Sequence, residues 1–231
     1  MKPKTYQAYA RLQKTLTLVS LTFLALFYIQ DSKATIISDL LITEIMANPS
    51  AVGDSRGEWF ELYNPTSDSL TLNGITISDN GTDRHTIDSI NDLIINPGQF
   101  FVLGRNGDNL LNGDYMADYV YSNFVLSNSE DEIILSDLMG NRLSLAYEAG
   151  FVTSGASNEL HSTEMLISNY VTSSGYNYGD GDLGTPGTGR AYSIATIAEP
   201  SSLWILLVGL GVLVLLHAIE MYHPRRKPTL S

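Results

Sequence analysis

Along the middle of the chain, apolar and polar residues alternate in short runs: 40–46, 59–63, 70–72, 75–77, 93–95, 100–103, 124–126, 133–135 and 143–147. Alternation with a period of two sends successive side chains to opposite faces of a strand. The runs recur at about the 8–12-residue interval expected of a β-sandwich. Turn chemistry separates them. Asn48-Pro49 and Asn64-Pro65 close the first two runs, because proline fixes φ and lacks an N–H. Asn-Gly at 73–74, 80–81, 106–107 and 112–113 suits the positive φ of tight hairpins. Pro97-Gly98 sits between the 93–95 and 100–103 runs as a turn that lets the second run fold back. The pattern predicts an all-β, antiparallel body. In the run 59–63, Phe60 and Leu62 share one face and are expected in the core, while Trp59, Glu61 and Tyr63 share the other. Helical periodicity is absent from the region between the two long apolar runs near the ends.

The end runs read differently. Lys2, Lys4, Arg11 and Lys14 precede an uncharged apolar stretch at 16–29. Ser32-Lys33-Ala34 then places small residues at −3 and −1 for cleavage between Ala34 and Thr35. Residues 1–34 are therefore expected to be a secretory signal. An uncleaved anchor is the alternative, but the stretch falls short of the roughly 20 residues a span needs. A second uncharged stretch occupies 203–219 and is followed by Arg225, Arg226 and Lys227. That pattern predicts a single membrane helix with residues 220–231 in the cytoplasm and 35–199 outside. Immediately before the span stand Glu199, Pro200 and Ser201. With Arg225-Arg226 at the end, they resemble the bacterial PEP-CTERM sorting tail, although Ala198 replaces that motif's first proline. The resemblance implies processing by an exosortase-type protease. A plain single-pass anchor is the alternative.

Charge sharpens this picture. Between Thr35 and Ala198 five arginines and no lysine face 22 acidic residues, leaving −17. Such a surface disfavours nucleic acid and suits divalent cations or basic partners, or simply solubility. Cysteine is absent, which excludes disulfides, thiol chemistry and thiolate zinc sites while leaving an oxidising compartment permitted.

Several motifs, in order, resemble those of the lamin tail domain family. They are Ile42-Thr43-Glu44-Ile45, then Glu58-Trp59-Phe60-Glu61-Leu62-Tyr63-Asn64, then Leu72-Asn73-Gly74 leading to Ile77-Ser78-Asp79. Ile95-Asn96-Pro97-Gly98-Gln99-Phe100-Phe101-Val102-Leu103 follows, and later the segment from Leu126 and Asn128 to Asp131, Ile133 and Leu135. Gly184-Thr185-Pro186-Gly187 matches the closing motif of secreted members. The resemblance implies an immunoglobulin-like β-sandwich over residues 35–150. Residues 151–190, rich in Ser, Gly, Asn and Tyr, read as a closing segment able to bury little, with one short strand expected within 159–167. Residues 191–202 read as a linker carrying the sorting motif.

Candidate chemistry is sparse. His85 and His161 lack a visible nucleophile or acid partner. Glu44, Glu58 and Glu61 suit acid–base work by residue type. All three fall in the family's structural motif, where strand and turn hydrogen bonding is the plainer role. Asp79 with Asp83, and Asp180 with Asp182, offer oxygen ligands for calcium without matching an EF-hand loop. Turn chemistry is the default for both pairs. Asn80-Gly81-Thr82 fits a glycosylation sequon. The expectation is a non-enzymatic exported bacterial surface protein without a required cofactor, located extracytoplasmically at the cell envelope. The family resemblance implies protein or polysaccharide contacts in the envelope or matrix. The alternatives are an accessory binding domain of a secreted hydrolase or nuclease system, and a calcium-dependent adhesion module.

Overall fold

A computed structural model describes residues 36–189 and the single position Gly211. Among the described residues the chain is all-β, with one four-residue helix and two short 3₁₀ turns. The longer strands match the alternating runs: β1 (Leu41–Met46), β2 (Trp59–Tyr63), β7 (Phe100–Gly104), β9 (Asp131–Ser136) and β10 (Arg142–Tyr147). Between them lie β3 (Leu70–Thr71), β4 (Thr76–Ser78), β5 (Arg84–Thr86), β6 (Ile94–Ile95) and β8 (Tyr119–Val120). Helix α1 (Asp54–Gly57) bridges β1 and β2. After β10 come β11 (Asn158–Leu160), β12 (Tyr170–Thr172), β13 (Asn177–Tyr178) and β14 (Asp182–Leu183).

Two sheets form the body. The larger has the order β12-β11-β1-β2-β7-β8, antiparallel except for the β7–β8 pair. The smaller has the order β10-β9-β4-β5. The core lies between them. Ile42, Ile45, Phe60, Leu62, Phe101 and Leu103 of the larger sheet meet Ile77, Ile133, Leu135, Leu143 and Leu145 of the smaller. Phe60 and Leu62 are fully buried, as the alternation predicts. Each such side chain contributes about 1.5–3 kcal/mol of transfer free energy. Strand β10 alternates exposed and buried positions, as a strand with one wet face must.

Strand β2 departs from simple alternation, because all five of its residues are buried. Its outer face is covered by a third layer built from the β7–β8 connection and the closing segment. Trp59, Met46 and Val102 pack there against Tyr115, with Ala117 and Tyr178 beside them. The Trp59 Nε1–H donates to the Tyr178 hydroxyl at 3.1 Å.

Two expectations need correction. Residues 124–126 form no strand. Their side chains still alternate, with Phe124 and Leu126 in the core and Val125 exposed. The backbone, however, donates to carboxylates in place of a neighbouring strand: Val125 N–H to Asp83 Oδ2 at 3.2 Å and Leu126 N–H to Glu58 Oε2 at 3.1 Å. The closing segment, in turn, buries more than its composition suggests. It supplies β11 and β12, which extend the larger sheet from the edge of β1, with Leu160 and Tyr170 buried. Its polar residues go inside because they are paired. Ser157 and Ser173 hydroxyls lie 2.7 Å apart, and Asn158 Nδ2 donates to Phe151 O at 2.8 Å. The short strand expected within 159–167 starts one residue earlier, at Asn158, and ends at Leu160.

Candidate functional site

The densest polar arrangement among the described residues lies on the outer face of the larger sheet. It begins with a β-bulge. The β1–β2 register runs Ile42↔Leu62 and then Glu44↔Glu61, so Thr43 is an extra residue on β1. Ile42 and Ile45 both keep their places in the core, and Thr43 and Glu44 fall together on the far side. Opposite Glu44 on its other flank stands Glu159 of β11. Three carboxylates therefore lie in a row across β11, β1 and β2. Like charges directly opposite one another destabilise a sheet unless something compensates.

The compensation comes from the closing segment. Glu44 Oε1 accepts the Thr185 N–H at 2.8 Å and the Ser157 hydroxyl, and its Oε2 pairs with Thr185 Oγ1 at 2.8 Å. Glu61 Oε1 pairs with Thr43 Oγ1 at 2.7 Å, and its Oε2 accepts the Gly187 N–H at 2.7 Å. The motif Gly184-Thr185-Pro186-Gly187 is thus strapped onto the glutamates of β1 and β2. Its shape suits the task. Thr188 N–H donates to Thr185 O at 2.9 Å with Gly187 at φ +80°, a type II turn with proline first and glycine second. At Gly184 any side chain would collide, since a Cβ there would sit 2.8 Å from both Glu44 Oε1 and Ser157 Oγ.

Electrostatics follow from burial. Glu44 and Glu61 have essentially no exposure. Burial pushes the Glu44 carboxyl up to about 7, against the opposing pull of the Ser157 and Thr185 donors and with help from Glu159. Burial pushes Glu61 up to about 8, opposed by Thr43 and reinforced by the Glu44 charge. Both carboxyls are thus held well above the ordinary carboxylate range. Their oxygens are nonetheless occupied by the protein's own hydroxyls and amides, so the pair acts as a latch for the closing segment.

Glu58 is brought elsewhere. It sits at the Trp59 end of β2, buried, and pairs with Arg105 Nη1 at 3.3 Å and Leu126 N–H at 3.1 Å. Burial outweighs both donors and raises it to about 7. The three motif glutamates thus serve two separate places in the fold.

His85 of β5 bridges the edges of the two sheets. Its Nε2 lies 2.9 Å from the Tyr119 hydroxyl of β8, and its Nδ1 accepts the Ser122 N–H at 3.3 Å. An acceptor Nδ1 fixes the neutral tautomer with the proton on Nε2. Burial lowers the His85 pKa accordingly. His161 lies 3.9 Å from Glu159.

Two of the candidate calcium residues, Asp79 and Asp182, are engaged by the chain's own amides and hydroxyls. Asp79 Oδ1 accepts the Gly81 and Asp83 N–H groups, closing its own turn. Asp182 is buried and accepts from the Ser50 hydroxyl at 2.7 Å and from the Ser50 and Ala51 amides. Asp180 is exposed on the β13–β14 turn. Among the described residues no group of three or more His, Cys, Asp or Glu is placed to hold a metal ion. Ala34, Thr35, Glu199, Pro200, Ser201, Arg225, Arg226 and Lys227 lie outside the described residues. Among the described residues no helix is long and apolar enough to cross a membrane.

The residues that residue-type reasoning missed are the partners: Thr43, Ser157, Thr185 and Gly187. The Gly-Thr-Pro-Gly motif was visible, but its attachment to Glu44 and Glu61 spans more than 120 positions. No curated protein matches the chain. A family model described as Lamin Tail Domain matches residues 33–149. That region holds the bulge, the three glutamates and both sheets except β11 and β12, and it covers half the sequence; the chain therefore belongs to the lamin tail domain family.

Proposed function

We propose that this chain is a non-enzymatic binding module, exported from a bacterial cell and held at the envelope by its C-terminal tail, where it contacts matrix or envelope protein or polysaccharide. The observation that carries this reading is the use made of its best acid–base candidates. Glu44 and Glu61 spend their oxygens on Thr43, Ser157, Thr185 and Gly187, and Glu58 spends one of its own on Arg105 and Leu126. What the module offers a partner is a strongly acidic, lysine-free surface with exposed loops and strand edges. That chemistry suits basic or cation-coated partners and disfavours nucleic acid.

Delivery rests on the ends. The basic start with its apolar run and the Ala34/Thr35 boundary act as a secretory signal. Residues 203–219 act as the span, with Arg225, Arg226 and Lys227 retained in the cytoplasm. Glu199, Pro200 and Ser201 act with the basic end as a sorting signal for an exosortase-type protease. The test is fractionation of the tagged full chain beside a variant lacking residues 225–227 and a Pro200→Ala variant. C-terminal processing in the parent and its loss in both variants is the expected result. Full-length retention in the membrane by all three favours a plain anchor, and intact chain in the cytosol overturns export. Turnover of a phosphoester, glycan or peptide by the purified chain overturns the non-enzymatic reading.

A further inference from the structure

Both chain exits lie at one end of the larger sheet. Ile36 leads into the Leu41 end of β1, which pairs with Tyr63 of β2, which pairs with Phe100 of β7. At the other exit, a Cβ on Gly189 would stand 2.6 Å from Phe100 Cε1. The latch drives this placement, because it carries the closing segment from Glu44 past Glu61 towards Phe100.

Two loops gather at that same end. The Asn64 side chain donates to Ile95 O, β6 pairs with β3, and Leu72 N–H donates to Leu93 O. Asn73 Nδ2 then reaches Ser89 O at 2.9 Å, and Leu138 Cδ1 lies 4.0 Å from a Cβ placed on Gly74. The Asn73-Gly74 turn therefore stands between the loop carrying Ile90 and the β9–β10 hairpin tip carrying Leu138 and Met139. Ile90 is fully exposed, and Leu138 and Met139 are 93% and 88% exposed. Large apolar side chains held this far into water at adjacent turn tips mark a contact surface.

We propose that this end of the domain rests on the lipid bilayer, with Ile90, Leu138 and Met139 entering the interface of a charge-neutral membrane. The inference rests on the tethered reading above and applies to the chain while its span is intact. Between Gly189 and the apolar run at 203 the sequence has thirteen residues, which reach at most ~45 Å when fully extended. The tether thus keeps the exit end within that reach of the bilayer. The lipid class follows from charge. Asp88 and Asp92 flank Ile90 in the chain and Asp137 precedes Leu138, so anionic headgroups repel this end while zwitterionic ones do not. Exposure alone does not single out these tips. Leu110 is 85% exposed, but it lies in the connection that leaves the opposite end of β7, beyond Gly104.

That contrast supplies the test. The chain has no cysteine, so one introduced cysteine gives one labelled site. Full-length chains carrying Ile90→Cys, Leu138→Cys, Leu110→Cys or Asn80→Cys are labelled with an environment-sensitive fluorophore and reconstituted in phosphatidylcholine vesicles containing nitroxide-bearing lipid. The expected result is loss of fluorescence at 90 and 138, none at 110 and 80, and weaker loss at 90 and 138 when phosphatidylglycerol is added. Equal quenching at all four sites, or none at 90 and 138 in vesicles that float with the protein, overturns the contact and leaves the anchor standing. Failure to float overturns the anchor and the contact together. A blue shift at 138 without vesicles assigns the tips to a protein contact and also overturns the proposal. A Met139→Glu change in the Ile90→Cys chain is expected to abolish quenching at 90 with an unchanged thermal melt.

Discussion

Glu44 and Glu61 show how one residue type in a strand does different work according to what covers it. A carboxylate on a bare sheet face would be solvated; these two are covered by the closing segment and so become acceptors for it. Glu44→Ala leaves the Thr185 amide and the Ser157 hydroxyl without their shared acceptor. A loss of about 1–3 kcal/mol is expected in chemical denaturation, together with faster hydrogen exchange at the Thr185 amide. An unchanged exchange rate there would remove Glu44 from the latch. Glu61→Gln is expected to behave differently. Its amide can donate to the Thr43 hydroxyl, which reverses its role, while its oxygen still accepts from Gly187. The latch survives and its titration disappears. At Gly184 the added methyl of alanine meets Glu44 and Ser157, so a loss of about 1–3 kcal/mol is expected from overpacking. A smaller loss would show that the strap can shift.

The closing strands are the elements on which the larger sheet depends. Without β11 and β12, β1 becomes an open edge, and without the segment that follows them Trp59 loses its cover. A chain truncated after Gly150 keeps the whole family match, yet it is expected to lose its cooperative melt and to bind hydrophobic dye. Compared with a full-length Trp204→Phe chain, the Trp59 emission of the truncated chain is expected to shift to the red. A cooperative melt with blue Trp59 emission would show that residues 36–150 suffice. The β4–β5 and β7–β8 edges are joined instead by His85, which spans from one sheet to the other, and by the Tyr119 hydroxyl, which accepts the Asp88 N–H.

For the molecule as a whole, these groups set a pH profile. Glu44, Glu58 and Glu61 each have a folded-state pKa above 4.5, so the folded state binds more protons than the unfolded chain. Their contribution is complete below 4.5 and is lost as pH rises through about 7 to 8. For Glu44 alone the displacement from 4.5 to about 7 corresponds to a cost on the order of 3 kcal/mol when it ionises. His85 works in the other direction. Its pKa is lowered from 6.5, so its contribution is complete above that value and is lost as pH falls through the folded-state value. Thermal melts are expected to fall from pH 6 to about pH 8 and then to level off, with Glu61→Gln flattening that decline. A melting temperature that rises over this range would contradict the burial of the latch glutamates.

Alternation, turn residues and ordered motifs determined the all-β class, the longer strands and the inward placement of Phe60 and Leu62, because each is a local property of period and backbone geometry. The same period carried 124–126 too far, since a backbone that donates to Asp83 and Glu58 looks, in sequence, like one that donates to a strand. The extension of the larger sheet by β11 and β12 escaped notice for a related reason. A run such as Ser157-Asn158-Glu159-Leu160 is too polar to announce burial, and only contact with β1 makes its polar groups cheap to bury. What the tertiary structure alone decided is the pairing of Glu44 with Thr185 and of Glu61 with Gly187. Desolvation and hydrogen bonding act through space, and neither leaves a periodic trace along the chain.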